Sequence, residues 1–179
     1  MSVPKTVKRS RFVLQTDKKF LFLGMNHELK SIISSLQNVL QGHPWYGRAV
    51  FEILEEVNRD KQYIRPNGQT HSLTDLLYHM ITWAEFTEQR IRKMPIKDMD
   101  AFNASDWRLI DPDKHYWQKG LAELQQAHDN IIALLRDKDD AFLEETVDYR
   151  KYNFRFLLNG LIQHNIYHLG QIAYLSKLL

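Results

Sequence analysis

The chain contains no cysteine. That excludes disulfides, thiolate metal ligands and a cysteine nucleophile, and it fits a reducing, cytoplasmic setting. Also missing is any apolar run of the roughly 18 residues that a membrane span needs, so no transmembrane helix is expected. The N-terminal stretch is interrupted by Thr16, Asp17, Lys18 and Lys19 and does not read as a secretory signal. The signatures HExxH, G-x-S-x-G, Walker A and G-x-G-x-x-G are all absent. No Glu-x-x-His occurs, which disfavours the carboxylate-bridged di-iron bundles built on that pair. Internal repeats, low-complexity segments and convincing strand patterns are lacking too.

What remains is the composition of a compact globular protein. The chain has 179 residues, 44% of them hydrophobic and 12% aromatic, enough for one domain with a substantial core. Its sequence pI of about 8.7 points towards nucleic acid until the charges are placed. Residues 1–24 hold six bases (Lys5, Lys8, Arg9, Arg11, Lys18, Lys19) and one acid, Asp17. The rest of the chain carries 18 bases and 21 acids. Basicity therefore belongs to the extension, and no nucleic-acid surface is expected on the folded body. Residues 1–24 are read as a basic N-terminal extension, a flexible segment or a by-product of start choice with Met25 as the alternative start. The domain is expected over residues 25–179.

Helical spacing dominates that domain. After Asn26, a good N-cap residue, apolar positions fall at Leu29, Ile32, Ile33, Leu36, Val39 and Leu40, and Gly42 and Pro44 close the pattern. A shorter helix follows the HPWYG loop, with Phe51, Leu54 and Val57 inward. Ser72 and Asp75 form a capping-box pattern that opens a helix over about 72–93. Residues 94–111 read as a long irregular connection. Asp111-Pro112 supplies an N-cap and N1 pair for a third long helix over about 112–137. The fourth spans about 154–178. Four long amphipathic helices, with a short extra one after the first, predict an all-α four-helix bundle.

The last helix raises the chemical question. Leu157, Leu161, His164, His168, Ile172 and Leu175 fall within an arc of roughly 80° at 100° per residue. Two imidazoles thus point where the leucines point. Burying them without partners costs on the order of 2 kcal/mol for each polar group, and one cation can satisfy both because positions i and i+4 share a face. A third candidate, His79, lies on the second long helix. It is offset about 100° from the Leu73–Leu77–Met80 direction and reaches the interior only if the edge bearing Leu76, Trp83 and Phe86 is also buried. Three histidines leave coordination positions open for chemistry. His128, in the stripe of the third helix, is either a partner behind the ligands or a hydrogen-bonded core histidine. Asp75 is placed both to cap its helix and to orient an imidazole, His71 or His79. Trp45, Tyr46 and Trp83 are candidate pocket walls, and Tyr167 a candidate at the site edge. His27, His43 and His115 are read as surface residues.

The segments HSLTDLLYHMITW and, about eighty residues on, QHNIYHLGQIAYL, together with the HPWYG loop, resemble the DinB/YfiT-like metalloenzyme family (the DNA-damage-inducible DinB, not the polymerase). The resemblance covers about residues 26–179. It implies an up-down-down-up bundle binding one divalent metal, zinc or nickel among others, through His79, His164 and His168. It also implies a homodimer; a small-molecule substrate is expected, and the hydropathy and charge placement above argue against a membrane or nucleic-acid partner for the folded domain. Some relatives are S-transferases or isomerases using bacillithiol, mycothiol or glutathione. The expected function is therefore metal-dependent thiol transfer, with metal-dependent hydrolysis or a non-catalytic, stress-related metal-binding role as alternatives. The basic extension departs from the family pattern.

Overall fold

The computed structural model of the chain describes residues 26–96 and 99–179. The basic extension over residues 1–24 lies outside the described residues. Those described form six α-helices: α1 (His27–Gln41), α2 (Val50–Glu55), α3 (Leu73–Ile91), α4 (Met99–Ala104), α5 (Trp117–Arg136) and α6 (Phe154–Leu178). Short 3-10 turns lie at Arg59–Lys61, Pro66–Gly68 and Asp140–Glu144. The described residues are all-helical, with no strand among them, and no helix among them is long and apolar enough to cross a membrane.

Directions follow from pairwise contacts. A methyl group on Gly120 of α5 would meet the Leu77 side chain of α3 at 2.7 Å, and ten residues on Asn130 donates to Glu88 at 3.1 Å. Both numbers rise together, so α3 and α5 run parallel, closely packed because Gly120 has no side chain. Gln41 pairs with Gln125, while Leu29 pairs with Asp140 beyond the end of α5, so α1 is antiparallel to α5. Across α3 and α6, His79 meets His168 and Trp83 meets His164, which makes them antiparallel. The bundle is therefore up-down-down-up, and its long crossover is the stretch between α3 and α5.

Local chemistry sets the helix boundaries. Ser72 and Asp75 close a complete capping box at the start of α3. The start of α1 is satisfied differently from the sequence expectation. Asn26 makes no side-chain cap bond, and the Asp140 carboxylate instead accepts from the backbone N–H groups of Glu28 and Leu29, at 3.2 and 2.8 Å. The third long helix also begins later than position 112. Asp111 and Pro112 open a turn in which Lys114 and His115 donate their N–H groups back to the Asp111 carbonyl. The helix starts at Trp117, where Gln62 Oε1 accepts from the backbone N–H. The buried Trp117 indole donates to the Leu54 carbonyl at 2.9 Å, which pins that end of α5 to α2. Within the expected irregular connection, α4 forms a single short helix.

Buried Leu, Ile, Phe and Trp side chains from α1, α2, α3, α5 and α6 make one continuous core. His128 lies inside it, fully buried. Asn165 Nδ2 donates to its Nε2 at 2.9 Å, which leaves Nδ1–H to donate to the Leu124 carbonyl at 2.9 Å. This is the core-histidine alternative, and His128 does not reach behind the ligand candidates. Burial holds its pKa down at about 4. Below the unfolded value of about 6.5 the unfolded chain binds a proton that the folded one refuses. Stability is therefore expected to fall as pH drops from 6.5 towards 4, by roughly 3 kcal/mol from this residue. Urea unfolding of the chelator-treated protein across that range measures the slope. Replacing His128 and Asn165 together by leucine should remove about one proton's share of it, and an unchanged slope would refute a neutral buried His128.

Candidate metal centre

His79 leaves α3 on the face that the Leu73–Leu77–Met80 stripe does not define. That face is nevertheless interior, because α3 is covered on almost every side: Leu76, Phe86 and His79 itself are buried and Trp83 is half-buried. From α6, His168 is 4% exposed and His164 partly buried. The three rings converge, with centroids 4.3 to 4.9 Å apart. One nitrogen of each lies within 4.8 Å of the others, and the Nε2 atoms of His79 and His164 are 3.0 Å apart. Two nitrogens bound tetrahedrally to one ion at about 2.0–2.1 Å sit about 3.3 Å from each other. The donor set and its spacing fit a single divalent cation.

Outer contacts aim the lone pairs inward. Nδ1 of His79 lies 3.0 Å from both the main-chain carbonyl and the carboxylate of Asp106. Both neighbours only accept, so Nδ1 carries the proton and Nε2 is bare. Likewise His168 Nδ1–H donates to Gln171 Oε1 at 2.6 Å, which frees its Nε2. His164 has no such anchor, for its Nδ1 is buried without a partner. Burial, reinforced by the neighbouring imidazoles, holds the pKa of His164 down at about 3 and that of His168 at about 4. Both are consequently neutral near pH 7, the form a metal needs.

Around the triad the structure adds residues that the sequence reading did not single out. Asp106 also accepts from Trp83 Nε1 at 2.7 Å. Trp107 stacks on His79 at 3.9 Å with its other face against His71 at 3.7 Å, making a three-ring sandwich. Gln171 stands three residues after His168, a spacing visible in the sequence as an i,i+3 pair. Asp106 and Trp107 lie in the crossover, where no periodicity points to them.

Other expected residues take different places. Asp75 orients no imidazole: its carboxylate holds Ser72 and pairs with Arg65. Trp45 is fully exposed and is no wall of the cavity beside the triad, and Tyr46 is likewise exposed. Trp83 is such a wall. Tyr167 is mostly exposed, its ring edge-on to His168 at 4.9 Å. His115 is half-buried against Tyr78, while His27 and His43 are exposed.

A cavity of about 650 Å³ opens between α1 and α5 among mostly polar residues and contains none of the triad. A smaller one of about 250 Å³ is bounded by His164 itself. Size and chemistry disagree here, and the cavity touching the imidazoles is the one with functional potential.

A family model described as the DinB superfamily matches residues 47–172, a stretch that contains all three histidines. No curated protein matches the chain.

The outer contacts are expected to change the metal affinity measurably. Gln171→Ala removes the partner that His168 Nδ1 has among the described residues and is expected to weaken divalent-ion binding about 10- to 100-fold. Asp106→Ala retains the main-chain carbonyl beside His79 and should fall at the lower end of that range. Competition with a chromophoric chelator gives both values. Wild-type affinity in Gln171→Ala would show that His168 is oriented by something else.

Proposed function

The chain belongs to the DinB superfamily, and on that premise we propose that it is a divalent-metal-dependent enzyme. In this reading it transfers an electrophilic carbon group to the sulfur of a low-molecular-weight thiol of the bacillithiol, mycothiol or glutathione kind. The observation that carries the proposal is the convergence of three imidazoles from two helices, in a group with no carboxylate or fourth histidine among the described residues. Structural zinc sites are closed by four protein ligands, whereas three leave a position for a reactant. Imidazole ligands suit zinc, nickel and related borderline ions. A divalent cation held there supplies Lewis acidity, which lowers the pKa of a bound thiol or water.

The protein's own groups do the rest. Asp106 and Gln171 hold two rings in the tautomer with Nε2 bare. Trp107 covers one face of His79, and Trp83 and Leu161 line the side open to a reactant. In the transfer, an S–C bond forms as the bond from that carbon to its leaving group breaks, and the thiol proton departs to solvent. The Asp106 carboxylate is engaged by His79 and Trp83, so it is not placed as a base for water. That favours a thiol, which is more acidic than water, over hydrolysis.

The test uses full-length protein purified without a nickel column and loaded with one equivalent of zinc or nickel. With glutathione and 1-chloro-2,4-dinitrobenzene as probes, wild type is expected to consume thiol above background. His168→Ala should bind less metal and return the rate to the uncatalysed level while keeping its helix content. Ester hydrolysis without thiol consumption would move the function to a hydrolase. Metal binding with neither reaction would leave a non-catalytic metal protein.

A further inference from the structure

Between α3 and α6, beside His164, lies the cavity of about 250 Å³ walled by Trp83, Phe156, Leu157, Gly160 and Leu161. None of the residues lining it carries a charge. Its polar side-chain atoms are largely committed elsewhere: Thr87 donates to the Trp83 carbonyl at 2.8 Å, and the Trp83 indole donates to Asp106. A charged ligand would lose its hydration there and find no counter-charge. An apolar group would replace water along carbon walls and gain by its burial. At about 30 Å³ per water-sized group the space holds roughly eight such groups, the scale of a benzyl or short branched alkyl substituent.

We infer that this cavity is the specificity pocket for an uncharged, aromatic or branched-alkyl substituent on the molecule that approaches the three histidines. His164 is both a member of the triad and part of the cavity wall, so an occupant of the pocket carries its reactive end to the imidazoles. The assignment to a substrate rests on the metal-enzyme reading; occupancy of the cavity by an apolar group does not. Gly160 contributes no side chain to the wall of this space. It sits inside α6, where glycine weakens a helix by about 1 kcal/mol relative to alanine. A Cβ added there would meet no atom within 4 Å.

The experiment fills the pocket from that position. Gly160→Leu and the bulkier Gly160→Trp start from a Cβ position with free space around it and improve helix propensity, so both are expected to fold, as circular dichroism and thermal unfolding will show. In the first arm, ligand-observed saturation-transfer NMR follows benzyl alcohol with chelator-treated protein. Wild type is expected to bind it, and the variants to bind at least about tenfold more weakly. In the second arm, the cobalt(II)-loaded protein is titrated with benzyl mercaptan and 2-mercaptoethanol through the sulfur-to-cobalt absorption band. Wild type should prefer benzyl mercaptan by at least about tenfold. Gly160→Leu should lose that preference and keep its affinity for cobalt and 2-mercaptoethanol. Failure to bind cobalt would remove the metal reading and leave the first arm to decide the pocket. Absence of benzyl alcohol binding in wild type, as when a second copy of the chain covers the opening, overturns the inference. So does equal binding by wild type and variants.

Discussion

Three imidazole rings share a largely buried space, and the surrounding structure answers to that constraint. A buried imidazole needs a partner at each nitrogen, and near neutral pH two of these rings cannot find one by becoming charged, since burial holds His164 and His168 in the neutral form. Asp106 and Gln171 take up one nitrogen on each of two rings. The three remaining inward nitrogens face one another, an arrangement that one cation satisfies at once. The bundle thus creates a polar deficit at its centre that is itself a ligand set.

The crossover between α3 and α5 does two jobs because of the bundle's topology. Parallel α3 and α5 require the chain to travel the length of the molecule between them, and the return path passes over His79. Residues there supply an acceptor in Asp106 and an aromatic cover in Trp107. Arg108, next in sequence, bonds Thr82 and lies over the Tyr78 ring, which fastens the segment to α3. A connection that topology makes unavoidable becomes the outer wall of the site. The opposite side of the triad, towards Gly160, is left to carbon and open space.

His128 and Asn165 show how closely structural and chemical histidines can be placed. Asn165 lies between His164 and His168 in α6 but faces α5, where it and the Leu124 carbonyl satisfy both nitrogens of His128. One helix therefore presents candidate ligands to α3 and a structural amide to α5. The two histidine environments differ in whether every ring nitrogen has a protein partner. His128 is complete within the fold; the triad is not.

The apolar repeat of each long helix identified its buried face, because 3.6 residues per turn tie side-chain direction to position. Leu157, Leu161 and Ile172 thereby indicated the inward direction of His164 and His168, and the Ser72–Asp75 cap marked the start of α3 where the structure has it. The same local logic placed the start of α5 too early, since Asp111-Pro112 opens a turn and Gln62, 55 residues away, supplies the cap. It also left the direction of His79 open. Which faces of α3 are interior depends on α5, α6 and the crossover packing around it together. Asp106 lies 27 residues from His79 and meets it only in the folded molecule. Short-range periodicity, encoded along one helix, marked His164 and His168 as inward-facing candidates. Long-range packing decided that they meet, which tautomers they adopt and which side of them stays open, because each of those outcomes needs atoms that the sequence holds far apart.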